Sequence, residues 1–358
     1  MISRHHCTKT SSLVRHFPIL GALALLFMLT TAEHLHAQSS SETQAQSETD
    51  SLTPEQKQLL RNVGAFDFTI KVDLAAIGNP GTVINGEGKS SGQMILQNKF
   101  VIMQNTDTLG DSISINGWRE DSKEYFSFSF ESGRTPFGYV QGNMTSRNNL
   151  VMKDPSGMVT VSTTFEKDRQ TKTEVLIGPQ KALLMSIESK PARRHAANVI
   201  RKIMASPLKP TKVNRATGSD DPAENFAAEH LELQKYVGDF QEENSDHSVT
   251  SRMVCQGRYL FNVSQDGAGV TDISVVGFDN ARKMFQMALF EASSTVPRYF
   301  EGTADGNGGL KLKDPFDPKA SFEVRPDKNG GYTATFSDGT EGGARTLSFT
   351  SRTPARSR

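Results

Sequence analysis

Cysteine is almost missing from this 358-residue chain, which has two. Cys7 precedes the first apolar run, a position that rules out a lipoprotein anchor of the usual kind. Cys255 is then the one thiol of the remaining chain, so no internal disulfide forms there and the fold must rely on its cores. Cys255 reads as a small buried hydrophobe rather than a nucleophile. Histidine is scarce where it would matter: five of the eight lie within residues 1–37, leaving His195, His230 and His247. No two of these have ligand spacing, which argues against a zinc site. None recurs in a repeated setting, which argues against a His-based nucleophilic arrangement. The chain also lacks a P-loop, a nucleophile elbow and a dinucleotide fingerprint. No catalytic residue, metal or cofactor is expected. Excess charge of one sign is missing too, with 40 basic and 40 acidic residues, so no global field favours nucleic acid.

A long hydrophobic run is present once. Phe17 to Ala32 is apolar, Arg4, Lys9 and Arg15 precede it, and Leu35-His36-Ala37 ends on a small residue. The run is short for a bilayer span and fits a cleaved secretory signal over residues 1–37. An exported protein, periplasmic or extracellular, follows, with no integral span after cleavage. Gln38 to Ser51 is a polar stretch without apolar pattern and reads as a flexible leader.

What the chain does have is a repeat. Gly117 to Pro155 aligns without a gap onto Gly277 to Pro315, at a constant offset of 160 with eleven of 39 positions identical. Among them are Gly117/Gly277, Lys123/Lys283, Phe130/Phe290, Glu131/Glu291 and Tyr139/Tyr299. Further blocks match outside the window. Val63-Gly64-Ala65-Phe66 pairs with Val237-Gly238-Asp239-Phe240, and Met94 to Phe100 pairs with Met253 to Tyr259, so Leu96 is the counterpart of Cys255. The drifting offset marks loop indels, the largest giving the first copy a longer opening hairpin. A unit of this length is a whole domain rather than a solenoid repeat.

Each copy opens on a helix signal, Thr53-Pro54-Glu55-Gln56 and Asp221-Pro222-Ala223-Glu224. About ten short alternating segments follow in the first copy, with no helix between them. The fold class is mainly β: two tandem antiparallel lipocalin-like β-barrels, each preceded by a short helix and joined by a basic linker. The division is signal peptide 1–37, leader 38–52, first barrel 53–190, linker 191–220, second barrel 221–352 and tail 353–358. From Lys190 to Arg215 the linker region has eight cations and no acid. Ala196, Val199, Ile200, Ile203 and Met204 form a brief helical stripe in it. Its reading is a solvated, extended linker; the alternative is a basic element touching an anionic envelope surface through Lys190, Arg193, Arg194, Arg201 and Lys202.

Candidate ligand-binding residues are Tyr125, Glu131, Tyr139, Glu291 and Tyr299. They would orient a ligand, or simply end a strand (Glu) and pack one of its faces (Tyr). Lys153-Asp154-Pro155 and its twin Lys313-Asp314-Pro315 read as turns, and Gly306 to Gly309 as a hairpin turn. Gly117 and Gly277 are expected to start hairpins, with Trp118 and Phe278 as core anchors. The strand Tyr125 to Phe130 separates the copies. One of its faces has Tyr125, Ser127 and Ser129 where copy two has Phe285, Met287 and Leu289; the other has Phe126, Phe128 and Phe130 against Gln286, Ala288 and Phe290. Whichever face points inward, the interiors differ, and at most one barrel is expected to hold a ligand.

The opening Gly238-Asp239-Phe240, the segment Gly257-Arg258-Tyr259-Leu260 and the run Val276-Gly277-Phe278-Asp279 through Lys283 resemble the DUF1579 family of bacterial proteins, and the likeness covers both copies. Phe66 and Phe240 stand where lipocalin-like barrels have the Trp of Gly-x-Trp. The family has no established activity, so the resemblance implies a barrel fold and no catalytic residue. Similar barrels that bind haem use an axial histidine, and neither copy has one after His247. The expected function is a non-catalytic binding module for a small apolar or amphipathic ligand. The alternative is a structural or protein-interaction protein of the cell envelope with filled barrels.

Overall fold

The computed structural model describes residues 52–206, 227–340 and 343–352. The expected signal and leader, the Asp221-Pro222 helix start and the tail lie outside these residues. Among the described residues twenty strands form two closed barrels, each a plain antiparallel meander. In the first, β1 (Gly64–Asp73) pairs with both β2 (Val83–Ile95) and the last strand, β10 (Ala182–Pro191). In the second, β11 (Gly238–Glu242) pairs with β12 (Ser248–Val254) and with β20 (Ala344–Ser351). Closure leaves neither sheet an open edge.

Each barrel is stoppered at one end by the helix before its first strand. In α1 (Pro54–Leu59) the capping box reads as the sequence predicts, with Gln56 N donating to Thr53 Oγ1 at 3.2 Å and Thr53 N donating to Gln56 Oε1 at 2.9 Å. Its Leu59 is buried in the first barrel's core. The stopper of the second barrel is α3 (Ala228–Leu233), whose first turn is closed by Ala227 N donating to His230 Nδ1 at 3.0 Å. Leu233 and the following Tyr236 are buried in the second core, and His230 packs edge-on against Phe278 at 5.9 Å. Burial pushes the His230 imidazole down to about 4, with Arg258 adding to the effect.

Side chains alternate in and out along each strand. On β5 (Glu124–Glu131), Tyr125, Ser127 and Ser129 point inward, while Phe126, Phe128 and Phe130 point outward. On β15 (Met284–Glu291), Phe285, Met287 and Leu289 point inward, while Ala288 and Phe290 point outward. The outward aromatic residues are nonetheless buried, because the barrels lie side by side. A shared core joins β3 (Phe100–Asp107), β4 (Gly110–Arg119) and β5 to β13 (Tyr259–Asp266), β14 (Gly269–Asp279) and β15.

The seam has the reciprocity of a two-fold interface. Phe100 meets Phe290 at 5.6 Å, and the counterpart of that pair, Tyr259 with Phe130, meets at 5.5 Å. Lys99 Nζ donates to Ala292 O, and its counterpart Arg258 Nε donates to Ser132 O at 2.7 Å. Edge-to-face aromatic pairs of this kind add about 0.5–1.5 kcal/mol each beyond their burial. Cys255, fully within the seam, donates to Phe130 O at 3.2 Å, and burial pushes its thiol up, away from the reactive thiolate.

Two expectations need correction. Gly117 and Gly277 do not start hairpins; they lie inside β4 and β14. A Cβ on Gly117 would come within 2.6–2.8 Å of the Phe126 and Phe100 rings, and one on Gly277 within 2.6 Å of the Tyr259 ring. The glycines are kept because an aromatic ring of the seam lies across each. Nor is residues 191–206 an extended, solvated stretch. Val199–Met204 forms a helix, α2, whose Val199, Ile200 and Ile203 are buried in the seam. Arg252 Nε donates to Met204 O and Ser206 O at 3.1 and 3.0 Å, fixing the helix to the second barrel. The brief apolar stripe was long enough because two barrels, not water, receive it.

Replacing Phe290 by Ala should cost about 3–5 kcal/mol in urea unfolding, the usual penalty for a buried phenylalanine. Phe316→Ala, at an 88% exposed turn position, should leave stability unchanged. Equal effects of the two would contradict the seam's role.

Candidate functional site

The second barrel contains a cavity of about 220 Å³. Val249, Leu260, Val276, Met287, Leu312 and Phe349 are among its apolar walls. Tyr236 closes it from the stopper side, its hydroxyl donating to Gly308 O at 2.6 Å. At the opposite end, between the β11–β12 loop and the loop after β15, stand His247, Asp272, Glu291 and Arg345. Most of these polar groups already have ionic partners. Glu291 faces Arg298 at 3.3 Å. Glu242 holds His247 Nδ1 at 3.1 Å and Arg345 at 3.8 Å.

Asp272 and Glu291 are Cα partners across β14 and β15, so two carboxyls share the inward face directly opposite each other. Like charges in that arrangement are destabilising. Burial pushes the Asp272 carboxyl up, against hydrogen bonds from Ser264 and Thr271 and the nearby His247. Burial likewise raises Glu291; Arg298 opposes this and Asp272 adds to it.

The first barrel has the same strands with a different lining. At the positions of Asp272, Val276, Met287 and Leu289 it has Ser112, Asn116, Ser127 and Ser129. Asn105, Ser114, Asn116, Ser127 and Ser129 are all no more than 1% exposed. Asn105 Nδ2 donates to Ser112 Oγ at 3.1 Å. Asn105 Oδ1, both amide atoms of Asn116 and the hydroxyls of Ser114, Ser127 and Ser129 have no hydrogen-bond partner among the described residues. Orphaned groups cost about 1–3 kcal/mol each, so a layer of them belongs with ordered water.

Of the residues expected to bind a ligand, one lines the cavity: Glu291. Tyr125 is inside the first barrel, edge-on to Trp118 at 4.7 Å, and burial pushes its hydroxyl up to about 12. Glu131 is half-buried on β5 opposite Ser112. Tyr139 and Tyr299 face outward, towards the seam. Tyr139 lies against Phe128 at 4.7 Å and Tyr299 against Phe137 at 5.7 Å. The Tyr299 hydroxyl accepts from Gln286 Nε2 at 2.7 Å and donates to Glu301 Oε2 at 2.9 Å. Their recurrence in both copies reflects the contact between the copies. Asp272 carried a usable signal: it is the acid that copy two has where copy one has Ser112.

Of the linker cations, Arg194 is taken up by Asp67 and the Phe66 and Ser90 carbonyls, while Lys190, Arg193, Arg201 and Lys202 are exposed. A second, open cleft of about 940 Å³ lies where α2 meets both barrels, with Met94, Ile200, Met204 and Val270 in its walls. Among the described residues no group of three or more metal-ligating side chains occurs, and no helix is long and apolar enough to cross a membrane.

Two measurements check these environments. A crystal structure should show waters bonded to Asn116, Ser127 and Ser129; a dry layer there would contradict the account of the first barrel. Asp272, with its folded-state carboxyl raised above the unfolded value, binds its proton more tightly when folded. Its cost is therefore absent in acid and grows as pH rises through the raised value. Asp272→Asn should raise the Tm of the ligand-free protein at neutral pH, and the gain should vanish towards acid.

No family model matches the chain, and no curated protein matches it. Among solved structures it is similar to a mutant of transferrin binding protein B from Haemophilus parasuis, at 9% identity over 80% of this chain and 75% of that one, with a TM-score of 0.20. It is also similar to a protein of unknown function from the DUF3598 family of Nostoc punctiforme, at 10% identity over 84% of this chain and all of that one, with a TM-score of 0.18. At such TM-scores neither likeness bears on function, and the barrel architecture rests on the strand ladders themselves.

Proposed function

We propose that the protein is a non-catalytic binding module that takes one small apolar or amphipathic molecule into its second barrel. The observation behind this reading is the cavity of about 220 Å³, apolar along its walls and polar at one end. An apolar chamber with a few convergent polar groups is the usual form of a small-molecule site. The volume lies below the roughly 300–1,000 Å³ of ordinary ligand pockets, which suits a compact ligand or a single short chain. Catalysis is a poor match. Burial holds the thiol of Cys255 in its unreactive form, and Phe130 O accepts its hydrogen bond. His247 is occupied by Glu242.

Export belongs to the same reading, resting on the basic, apolar and small-residue succession of residues 1–37. So does kinship with the DUF1579 family, resting on the Gly238 to Lys283 motif residues. The exposed Lys190, Arg193, Arg201 and Lys202 would then face anionic envelope components.

Calorimetric titration with 1-octanol tests the binding role. One site per chain is expected, and Leu289→Trp, which fills the cavity, should abolish it. Two equal sites, or binding untouched by the substitution, would move the ligand out of the second barrel.

A further inference from the structure

We infer that the ligand of the second barrel carries an amine cation, held by Asp272 at the polar end of the cavity while its apolar body enters the barrel. This rests on the binding role proposed for that cavity and adds the chemical class of its occupant. The inference starts from an imbalance of partners. Two carboxylates line this end of the cavity, Asp272 and Glu291, and a third, Glu242, stands behind its His247 and Arg345. Glu242 has His247 and Arg345, and Glu291 has Arg298. Among the described residues, none of the ion pairs includes Asp272. The Thr271 hydroxyl lies 3.2 Å from its Oδ2, and Ser264 donates to it as well.

A half-buried carboxylate that borders an apolar chamber is stabilised by a cation close to it. The nearby cations do not supply one. Arg298 lies over the Phe336 ring at 4.8 Å, beside Glu291. Arg345 is largely exposed and turned to Glu242. His247 faces Asp272 from the loop before β12, but its Nδ1 is committed to Glu242. Glu242 and Glu291 each face an arginine, whereas Asp272, the carboxyl that borders the apolar chamber, is in no ion pair among the described residues.

The comparison between copies sharpens the point. Glu131 and Glu291 recur, yet the residue opposite is Ser112 in the first barrel and Asp272 in the second. The extra acid thus accompanies the apolar lining of Met287 and Leu289, and the barrel lined by Ser127 and Ser129 does without it. A position that opposes one carboxylate with another gains nothing for stability. It does gain where an ammonium group bridges the pair. The wall beyond Asp272, formed by Leu260, Met287, Leu289, Phe336 and Leu347, would take the hydrocarbon part.

The test is calorimetry on the full chain with three ligands of one chain length: octylamine, 1-octanol and octanoate. At pH 7.5 octylamine should bind roughly tenfold more tightly than 1-octanol, the size of one charge-assisted hydrogen bond, and octanoate more weakly than either. Octylamine affinity should fall with pH as Asp272 takes up its proton. Asp272→Asn should erase the preference, and its raised Tm at neutral pH shows that the variant is folded. Equal binding of octylamine and 1-octanol, tightest binding of octanoate, or an amine preference that survives Asp272→Asn would overturn the inference while sparing the cavity. Binding of none of the three would remove the binding role itself, and the inference with it.

Discussion

The structure depends on an aromatic seam between two barrels that each have a greasy outer wall. A β-barrel normally hides its apolar side chains inside and shows water a polar exterior. Here Phe126, Phe128 and Phe130 point out of the first barrel, and Tyr259, Phe261 and Phe290 out of the second. Left uncovered, such a surface would be a large exposed apolar patch. Each barrel covers the other's, and α2 fills the remaining margin with Val199, Ile200 and Ile203. The contacts come in exchanged pairs, Phe100–Phe290 with Tyr259–Phe130 and Lys99–Ala292 with Arg258–Ser132. Two copies of one sequence can satisfy one another in this way because a two-fold interface asks of each copy the same patch.

That constraint frees the interiors. Positions on the seam are held by the partner copy, and Gly117/Gly277, Phe130/Phe290 and Tyr139/Tyr299 are accordingly shared. Positions facing inward answer to their own barrel alone, and along β4–β5 and β14–β15 several of them differ between the copies. One interior turned to serine and asparagine, the other to methionine, leucine and an aspartate. The first has orphaned polar groups around its axis; the second has a chamber with apolar walls and a polar end. A shared backbone thus has two linings, one polar and one largely apolar.

Much of this was legible in the residues. The repeat, the strand alternation and the helix signals led to tandem antiparallel barrels with a short helix before each, and the Thr53 capping box forms as read. The difference between Ser127-Ser129 and Met287-Leu289 also pointed to unlike interiors. The candidate site was less legible. Recurrence in both copies drew attention to Tyr139 and Tyr299, yet recurrence here marks the contact between copies. The informative position was the one that differed, Ser112 against Asp272.

By itself, then, the sequence determined what is local and periodic: which segments are strands, which side chains share a face, and that the pattern occurs twice. Alternation is a property of the extended chain and needs no partner to be read. Tertiary structure alone decided which of the two faces is inside. Both faces of Tyr125 to Phe130 are buried, one by its own barrel and one by the neighbour, so hydrophobicity cannot rank them. The same holds for α2, whose short stripe became a buried element only because the two walls converge on it. It holds too for Asp272, whose significance comes from the carboxylate opposite, the cations turned elsewhere and the apolar space behind it.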